Sequence, residues 1–234
     1  MNLTVRDVCG LLNVPEKTVY RWINHGALPA NRIDNQYRFN RAELLEWATM
    51  RGITIAADLF EEPESVAAPL PGLAAALQDG GIVHGLRGTD KASVLRAMVE
   101  HLRVPEELDR EFLLHVLLAR ENLQSTGIGE GVAIPHVRNP IVLHVARPIV
   151  TLCFLDQPVD FGALDGKPVH ALFSLICPTV RSHLGLLSRL AFALHDDRFK
   201  RVIAERGPAD QVLAEARRVE DGLGQAHDTR GRIG

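Results

Sequence analysis

The sequence predicts an α+β chain in two parts: a small helical head with a β-hairpin, and a larger unit whose mixed sheet is flanked by helices. Three observations carry this. Residues 1–52 hold short runs with apolar residues at helical spacing around one extended stretch. From 53 to 72 that periodicity fades into an acidic and then proline-punctuated stretch, Phe60-Glu61-Glu62-Pro63-Glu64-Ser65 and Ala67-Ala68-Pro69-Leu70-Pro71-Gly72. Beyond it, amphipathic helical runs precede and follow two apolar strands, Ile149–Leu155 and Ala171–Cys177, as in a sheet covered by helices. The expected division is a head at 1–52, a linker at 53–72, a large unit at 73–217, and a tail at 218–234 with few apolar anchors.

Composition bounds the function. The 234 residues allow one large or two modest domains, and 46% hydrophobic content argues against wholesale disorder. A net charge of −3 excludes a strongly basic nucleic-acid coat protein but leaves room for a local basic surface. The N-terminus lacks the apolar core of a signal peptide, and no stretch reaches the ~18 apolar residues of a membrane span. A cytoplasmic protein without membrane insertion is expected. Cys9, Cys153 and Cys177 are odd in number and widely spaced, which points to free thiols rather than a disulfide or a zinc site.

In the head, Thr4 is the expected N-cap of a first helix, with Asp7 at its third position and Val8, Leu11 and Leu12 inward. Pro15 opens a second helix in which Val19, Trp22 and Ile23 face the core. Lys17, Arg21 and Asn24 follow one another on a different face, flanked by Thr18 and Tyr20. Leu28–Phe39 reads as a hairpin turning at Asp34-Asn35, with Arg32 and Arg38 placed to straddle a phosphate backbone. Asn40 then caps a third helix carrying Leu44, Leu45 and Trp47. Two short helices and a tight turn suggest a helix-turn-helix whose second helix enters the major groove. Charge supports DNA only weakly, and a three-helix protein-interaction module with a solvated charged face stands as the rival. The runs VPEKTVYRWINHGALP and YRFNRAELLEW resemble small winged helix-turn-helix domains related to excisionases and MerR regulators. With that resemblance, DNA contacts are expected from Lys17, Thr18, Tyr20, Arg21, Arg32 and Arg38; one such unit makes few contacts, so tight specific binding would call for a homodimer.

The large unit should open with a short helix at 73–80 and a strand at 82–86. An amphipathic helix begins at Thr89-Asp90, and another runs from about 106 to 121 with Leu108, Phe112, Leu113, Val116 and Leu117 buried. Arg120 then lies at a helix end. A long helix beginning at His183 carries Leu184, Leu187, Leu190 and Leu194 inward.

Between helix and first apolar strand lies the most informative run, Arg120 to His136. Gly127, Gly129 and Gly131 alternate, allowing close backbone approach or positive φ, while Ile128, Val132 and Ile134 anchor the run to a core. Pro135 stiffens the backbone before His136. A neutral imidazole there is a competent nucleophile toward phosphorus. Arg120, the Ser125 and Thr126 hydroxyls and N–H groups of the glycine turns, beginning at Gly127, could receive phosphoryl oxygens. On the residues alone, a plain chain reversal with a structural histidine remains open. A Ser125/His136 hydrolase would lack the strand-to-helix Gly-x-Ser-x-Gly elbow. His136 and His144 have no recognised metal spacing.

The run STGIGEGVAIPH after ARENLQ resembles the phosphorylation-site signature of enzyme IIA domains of the bacterial sugar phosphotransferase system, of the fructose/mannitol/nitrogen-regulatory type. The likeness spans roughly 73–217. It implies that His136 accepts a phosphoryl group from an HPr-like phosphocarrier. It also implies that Arg120 is the active-site arginine and that His183, after Leu172–Pro178, is a second active-site histidine. The family commonly has Gly after the phosphorylated histidine, where this chain has Val137. No metal, nucleotide or organic cofactor is implied, since the donor is a phosphoprotein; an enzyme IIB or another regulatory protein is a further implied partner. The expectation is a two-domain regulator. Its alternative is a non-enzymatic DNA-binding regulator whose IIA-like domain only senses partners.

Overall fold

The computed structural model describes residues 2–25, 28–33, 36–40, 43–44, 47–48, 51, 53, 72–137 and 145–230. The turn expected at Asp34-Asn35, Leu45 of the third helix, His144 and nearly all of the 53–72 linker lie outside them. The chain forms two compact units, Met1–Pro69 and Leu70–Gly234.

In the first unit, β1 (Asn2–Leu3), α1 (Val5–Leu12), α2 (Glu16–Asn24), β2 (Asn31–Ile33) and β3 (Gln36–Asn40) follow in order. The strands form an antiparallel sheet in the order β1-β3-β2. Thr4 caps α1 reciprocally: its Oγ1 accepts from Asp7 N at 3.3 Å, and the Asp7 carboxylate accepts from Thr4 N at 2.8 Å. Those bonds to Thr4 hold the Asp7 carboxyl below its usual range. Asn13, in the left-handed region at φ 50°, stops α1, and Pro15 stands at the cap of α2 rather than inside it. Val8, Leu12, Val19, Leu28, Phe39, Leu44 and Trp47 bury together, and Trp22 meets Trp47 edge-on at 5.0 Å.

The second unit is a five-stranded mixed sheet in the order β4-β7-β8-β6-β5. Its strands are β4 (Ile82–Leu86), β5 (Gly127–Gly129), β6 (Val132–Ala133), β7 (Ile149–Val159) and β8 (Val169–Ile176). The helices are α3 (Leu73–Gly80), α4 (Lys91–His101), α5 (Arg110–Leu123), α6 (Val180–Ala193), α7 (Asp197–Ala204) and α8 (Ala209–Arg230). Strand alternation builds two cores. Val150, Leu152, Phe154, Phe173 and Leu175 pack with Leu73, Leu187, Leu190 and Phe199 on one face. Cys153, Leu155, Leu172 and Ile176 pack with Leu95, Met98, Leu113 and Leu117 on the other. Being covered on both faces, β7 and β8 read as nearly continuous apolar runs.

Several local expectations shift. The second amphipathic helix starts at Arg110, capped by Asp109, whose Oδ1 accepts from Phe112 N at 3.0 Å. Its buried stripe runs through Leu113, Leu114, Leu117, Arg120 and Glu121, which leaves Phe112 exposed rather than buried. His183 is the fourth residue of its helix, because Thr179 caps the first turn in a capping box with Ser182. The long helix divides at Asp196, which accepts from Phe199 N at 3.0 Å and starts α7. The tail assigned to 218–234 is also different: α8 continues to Arg230. Val219 is buried there, and Arg218 pairs with Asp196 and Glu215. Among the described residues, Val219 and the Arg218 pairs, to Asp196 ahead of α7 and to Glu215 one turn back in α8, hold this segment, a pattern that composition alone does not reveal.

Candidate functional site

The glycine run folds as a hairpin. Only Glu130 and Gly131 separate β5 from β6, and both have positive φ, 51° and 77°. Two successive residues of that sign are what a type I′ turn requires. A Cβ on Gly131 would lie 2.1 Å from His170 Nδ1. The Gly131 carbonyl accepts from the N–H groups of His170 and Ala171 at 2.7 and 3.1 Å, fastening the hairpin to β8.

From there the chain runs beside β8, and His136 bridges Leu175 in parallel register. The residue is 2% exposed. Its Nδ1 lies 2.6 Å from the Ile134 carbonyl oxygen. A carbonyl only accepts, so Nδ1 carries the proton, and in the neutral ring the nucleophilic lone pair is on Nε2. His183 stands beside it, with ring centroids 5.1 Å apart and planes inclined by 33°. Burial, and then the neighbouring His136, push the His183 pKa down to about 3. The positive field at the start of α6 acts in the same direction. His183 is therefore neutral near pH 7, and its buried Nδ1 has no hydrogen-bond partner among the described residues.

Arg120 is buried near the end of α5, where its Nη1 donates to the Gln124 carbonyl at 2.7 Å and shapes the exit from the helix. Ser125 Oγ donates to the Phe161 carbonyl and accepts from Gly127 N at 3.0 Å. Thr126 donates from both N and Oγ1 to Glu121 Oε2, at 2.9 and 2.6 Å. The Ser125 and Thr126 hydroxyls and the Gly127 N–H, expected to meet phosphoryl oxygens, are thus engaged within the protein, as is the Thr126 N–H. They turn the chain from helix to strand, and Gly127 packs where a Cβ would come within 2.9 Å of the Ala163 Cβ. Among the described residues no three His, Cys, Asp or Glu side chains gather as a metal ion would need.

In the head, Lys17, Tyr20 and Arg21 are exposed on α2 and Thr18 is half-buried. Tyr20 meets Tyr37 of β3 edge-on at 6.1 Å, and the exposed Arg32 guanidinium lies 6.0 Å from the Tyr37 ring. The structure thereby brings Tyr20 and Arg32 to one aromatic ring. Arg38 is half-buried and donates to Gln36 Oε1 at 2.8 Å.

Residues 76–216 match the family described as "Phosphoenolpyruvate-dependent sugar phosphotransferase system, EIIA 2". The chain belongs to that family. Residues 3–52 match a second one, described as "Helix-turn-helix domain". A nitrogen regulatory protein of Pseudomonas aeruginosa is 40% identical over 121 residues, covering 50% of this chain and 77% of that protein. A fructose-specific EIIA component of Haloferax volcanii is 38% identical over 112 residues, covering 46% and 71%. Among solved structures, the nitrogen regulatory protein IIA-Ntr of Neisseria meningitidis aligns with a TM-score of 0.51 at 31% identity, covering 58% of this chain and 91% of that one.

Within the EIIA unit, sequence reasoning missed Glu121 and Lys91. Glu121 adjoins Arg120 and is buried, with Oε1 3.3 Å from Lys91 Nζ at the start of α4. Its signal was the five-residue spacing to Thr126 across a helix end, which only the observed turn makes meaningful. In the helix-turn-helix unit, Tyr37 of β3 is the ring that Tyr20 and Arg32 meet, a contact that its strand alternation does not signal.

Proposed function

We propose that His136 accepts a phosphoryl group from an HPr-like phosphocarrier in the cytoplasm, and that the helix-turn-helix unit binds DNA, making the chain a phosphorylation-responsive regulator. The observation that supports this most is the Nδ1–H bond from His136 to Ile134 O, at 2.6 Å, which assigns the nucleophilic lone pair to Nε2. In the transfer, that lone pair forms an N–P bond while the carrier's own N–P bond breaks, its electron pair returning to the carrier's imidazole. The Nδ1 proton stays in place, and the Ile134 carbonyl dipole stabilises the positive charge the ring gathers. A neutral His183 can donate a hydrogen bond to the phosphoryl group or the imidazole without adding a cation. Arg120 fits as the guanidinium facing phosphoryl oxygens, while Ser125, Thr126 and Gly127 position the loop that leads to the nucleophile.

Docking has surface to use. Leu123 and Leu164 are exposed at 73% and 68%, the first just ahead of Ser125 and the second beside Ala163, which packs on Gly127. A homodimer on DNA, and onward transfer to an enzyme IIB, belong to the same reading. The burial of His136 favours one specific alternative: a domain that senses partners without taking up phosphate, since an incoming carrier must displace what covers the ring. Incubation with phosphoenolpyruvate, enzyme I and HPr separates the two. Acid-labile phosphate on the wild type and none on His136→Ala is expected; an unphosphorylated wild type overturns the acceptor role.

A further inference from the structure

Resting on that reading of His136, we infer that Glu121, paired with Lys91, is a positioning residue that fixes the tautomer of the His136 imidazole through Thr126 and Ile134. The hydrogen bonds form one line. Glu121 Oε2 accepts from Thr126 N and Oγ1 at 2.9 and 2.6 Å. The Thr126 carbonyl accepts from Ile134 N at 3.0 Å, and the Ile134 carbonyl accepts from His136 Nδ1 at 2.6 Å. Each link uses the other end of the residue before it, so the line holds the ring acceptor at a fixed height beside β8.

The chemistry of Glu121 singles it out. Its side chain is 2% exposed, and a carboxylate removed from water is costly unless it is paired and hydrogen-bonded. Both bonds to Thr126 are charge-assisted, hence stronger and more directional than neutral ones. The other oxygen faces Lys91 Nζ, close enough for an ion pair though not aligned as a hydrogen bond. Lys91 also lies 5.9 Å from the Phe161 ring, and the Phe161 carbonyl receives the Ser125 hydroxyl. The lysine therefore braces the same turn from two sides. Glu121 thus holds the residue whose carbonyl receives the Ile134 N–H, so its loss would be felt two residues from the ring.

The test uses the full chain. Long-range ¹H–¹⁵N correlation spectra report which His136 nitrogen carries the proton, and phosphorylation by HPr gives kcat and KM. For Glu121→Gln, the expected results are a mixture of tautomers and a kcat lowered about tenfold or more, as misplacement of a reacting group does, with KM for HPr little changed. Lys91→Met, which keeps the aliphatic stem and removes only the charge, should move both readouts the same way by less. It also covers the case in which Glu121→Gln fails to fold. A wild-type tautomer and kcat in folded Lys91→Met and Glu121→Gln would overturn the inference. A wild type that takes no phosphate would sink the acceptor role instead, and the tautomer spectra would still decide what Glu121 does.

Discussion

The two units place their candidate site side chains in opposite environments. On the helix-turn-helix unit, Lys17, Tyr20, Arg21 and Arg32 stand exposed. In the EIIA unit, Arg120, His136 and His183 are buried, as are the Glu121 and Thr126 that shape the loop. Exposed cations act through a screened field and tolerate small displacements, because a counterion released is the same from either of two nearby positions. Buried groups act through fixed dipoles in a medium of low polarisability, where geometry decides the energy. On the proposed reading, a charged surface thus stands against a buried site governed by placement, and substitutions should tell them apart.

The largest effect expected is at the buried site around His136. His136→Ala should abolish phosphate uptake, and Arg120→Lys should impair it strongly despite keeping the charge, since an ammonium cannot reproduce the planar guanidinium that reaches Gln124 O at 2.7 Å. In the head the same exchange should matter little: Arg21→Lys is expected to keep most of the sequence-independent DNA affinity, measured by fluorescence anisotropy. Equal sensitivity of the two sites to Arg→Lys would erase the contrast. A second measure is salt. Affinity of the full chain for DNA should fall steeply between 50 and 200 mM salt, and each of Lys17→Ala and Arg21→Ala should flatten the log–log slope by about one phosphate contact. Binding indifferent to salt would favour the protein-interaction rival for the head.

Protonation sharpens the contrast further. His183 has an ordinary pKa of 6.5 and a folded value of about 3. Between those values the unfolded chain binds the proton and the folded one does not. Stability is then complete above about pH 6.5 and is lost as pH falls toward 3, by up to about 1.4 kcal/mol per pH unit from this group. Urea unfolding of the wild type at pH 7, 5.5 and 4.5 should show that loss, and His183→Gln should flatten it. An unchanged acid limb in His183→Gln would place the buried imidazole's cost elsewhere.

How much of this was legible differs by unit for the same physical reason. Thr4 and Asp7 could be read as a cap because both partners lie within one turn of sequence. Lys17, Arg21 and Arg32 stand exposed, as charges can wherever they fall, whereas Arg38 is half-buried against Gln36. The strands β7 and β8 announced themselves by composition. The glycine run was visible as a turn, but its I′ hairpin and its union with His170 depend on β8, far along the chain. In sequence the Ser125 hydroxyl is available to a phosphoryl oxygen, and in the structure it donates to Phe161 O, a partner thirty-six residues away that no local pattern predicts. The same holds for α8: Arg218 pairs with Asp196, and Glu220 with Arg189 and the start of α3, so the segment past 217 reads in sequence as a tail with few apolar anchors.

That last contact gives the smallest effect and the finest test. Gly72 precedes α3 without a side chain to cap it. Instead the Glu220 carboxylate, from α8, accepts from Leu73 N and, at 3.1 Å, from Ala74 N, and pairs with Arg189 Nη1 of α6 at 3.2 Å. A Cβ at residue 72 would lie 2.8 Å from that carboxylate, so the glycine is what lets a distant residue serve as the cap. Losing a helix N-cap typically costs about 1 kcal/mol, with the half-exposed Arg189 pair adding little. Glu220→Ala should therefore lower the Tm of the EIIA unit by a few degrees. It should leave kcat for phosphorylation near the wild-type value, because the cap touches no residue of the hydrogen-bonded line to His136. Glu220→Gln should recover part of the loss, as an amide oxygen can still accept one N–H. If Glu220→Ala instead left the melting unchanged, α8 would be dispensable at this point. If it lowered kcat as much as Glu121→Gln, the positioning of His136 would extend to the far end of α6, and the boundary between scaffold and site would have to be redrawn.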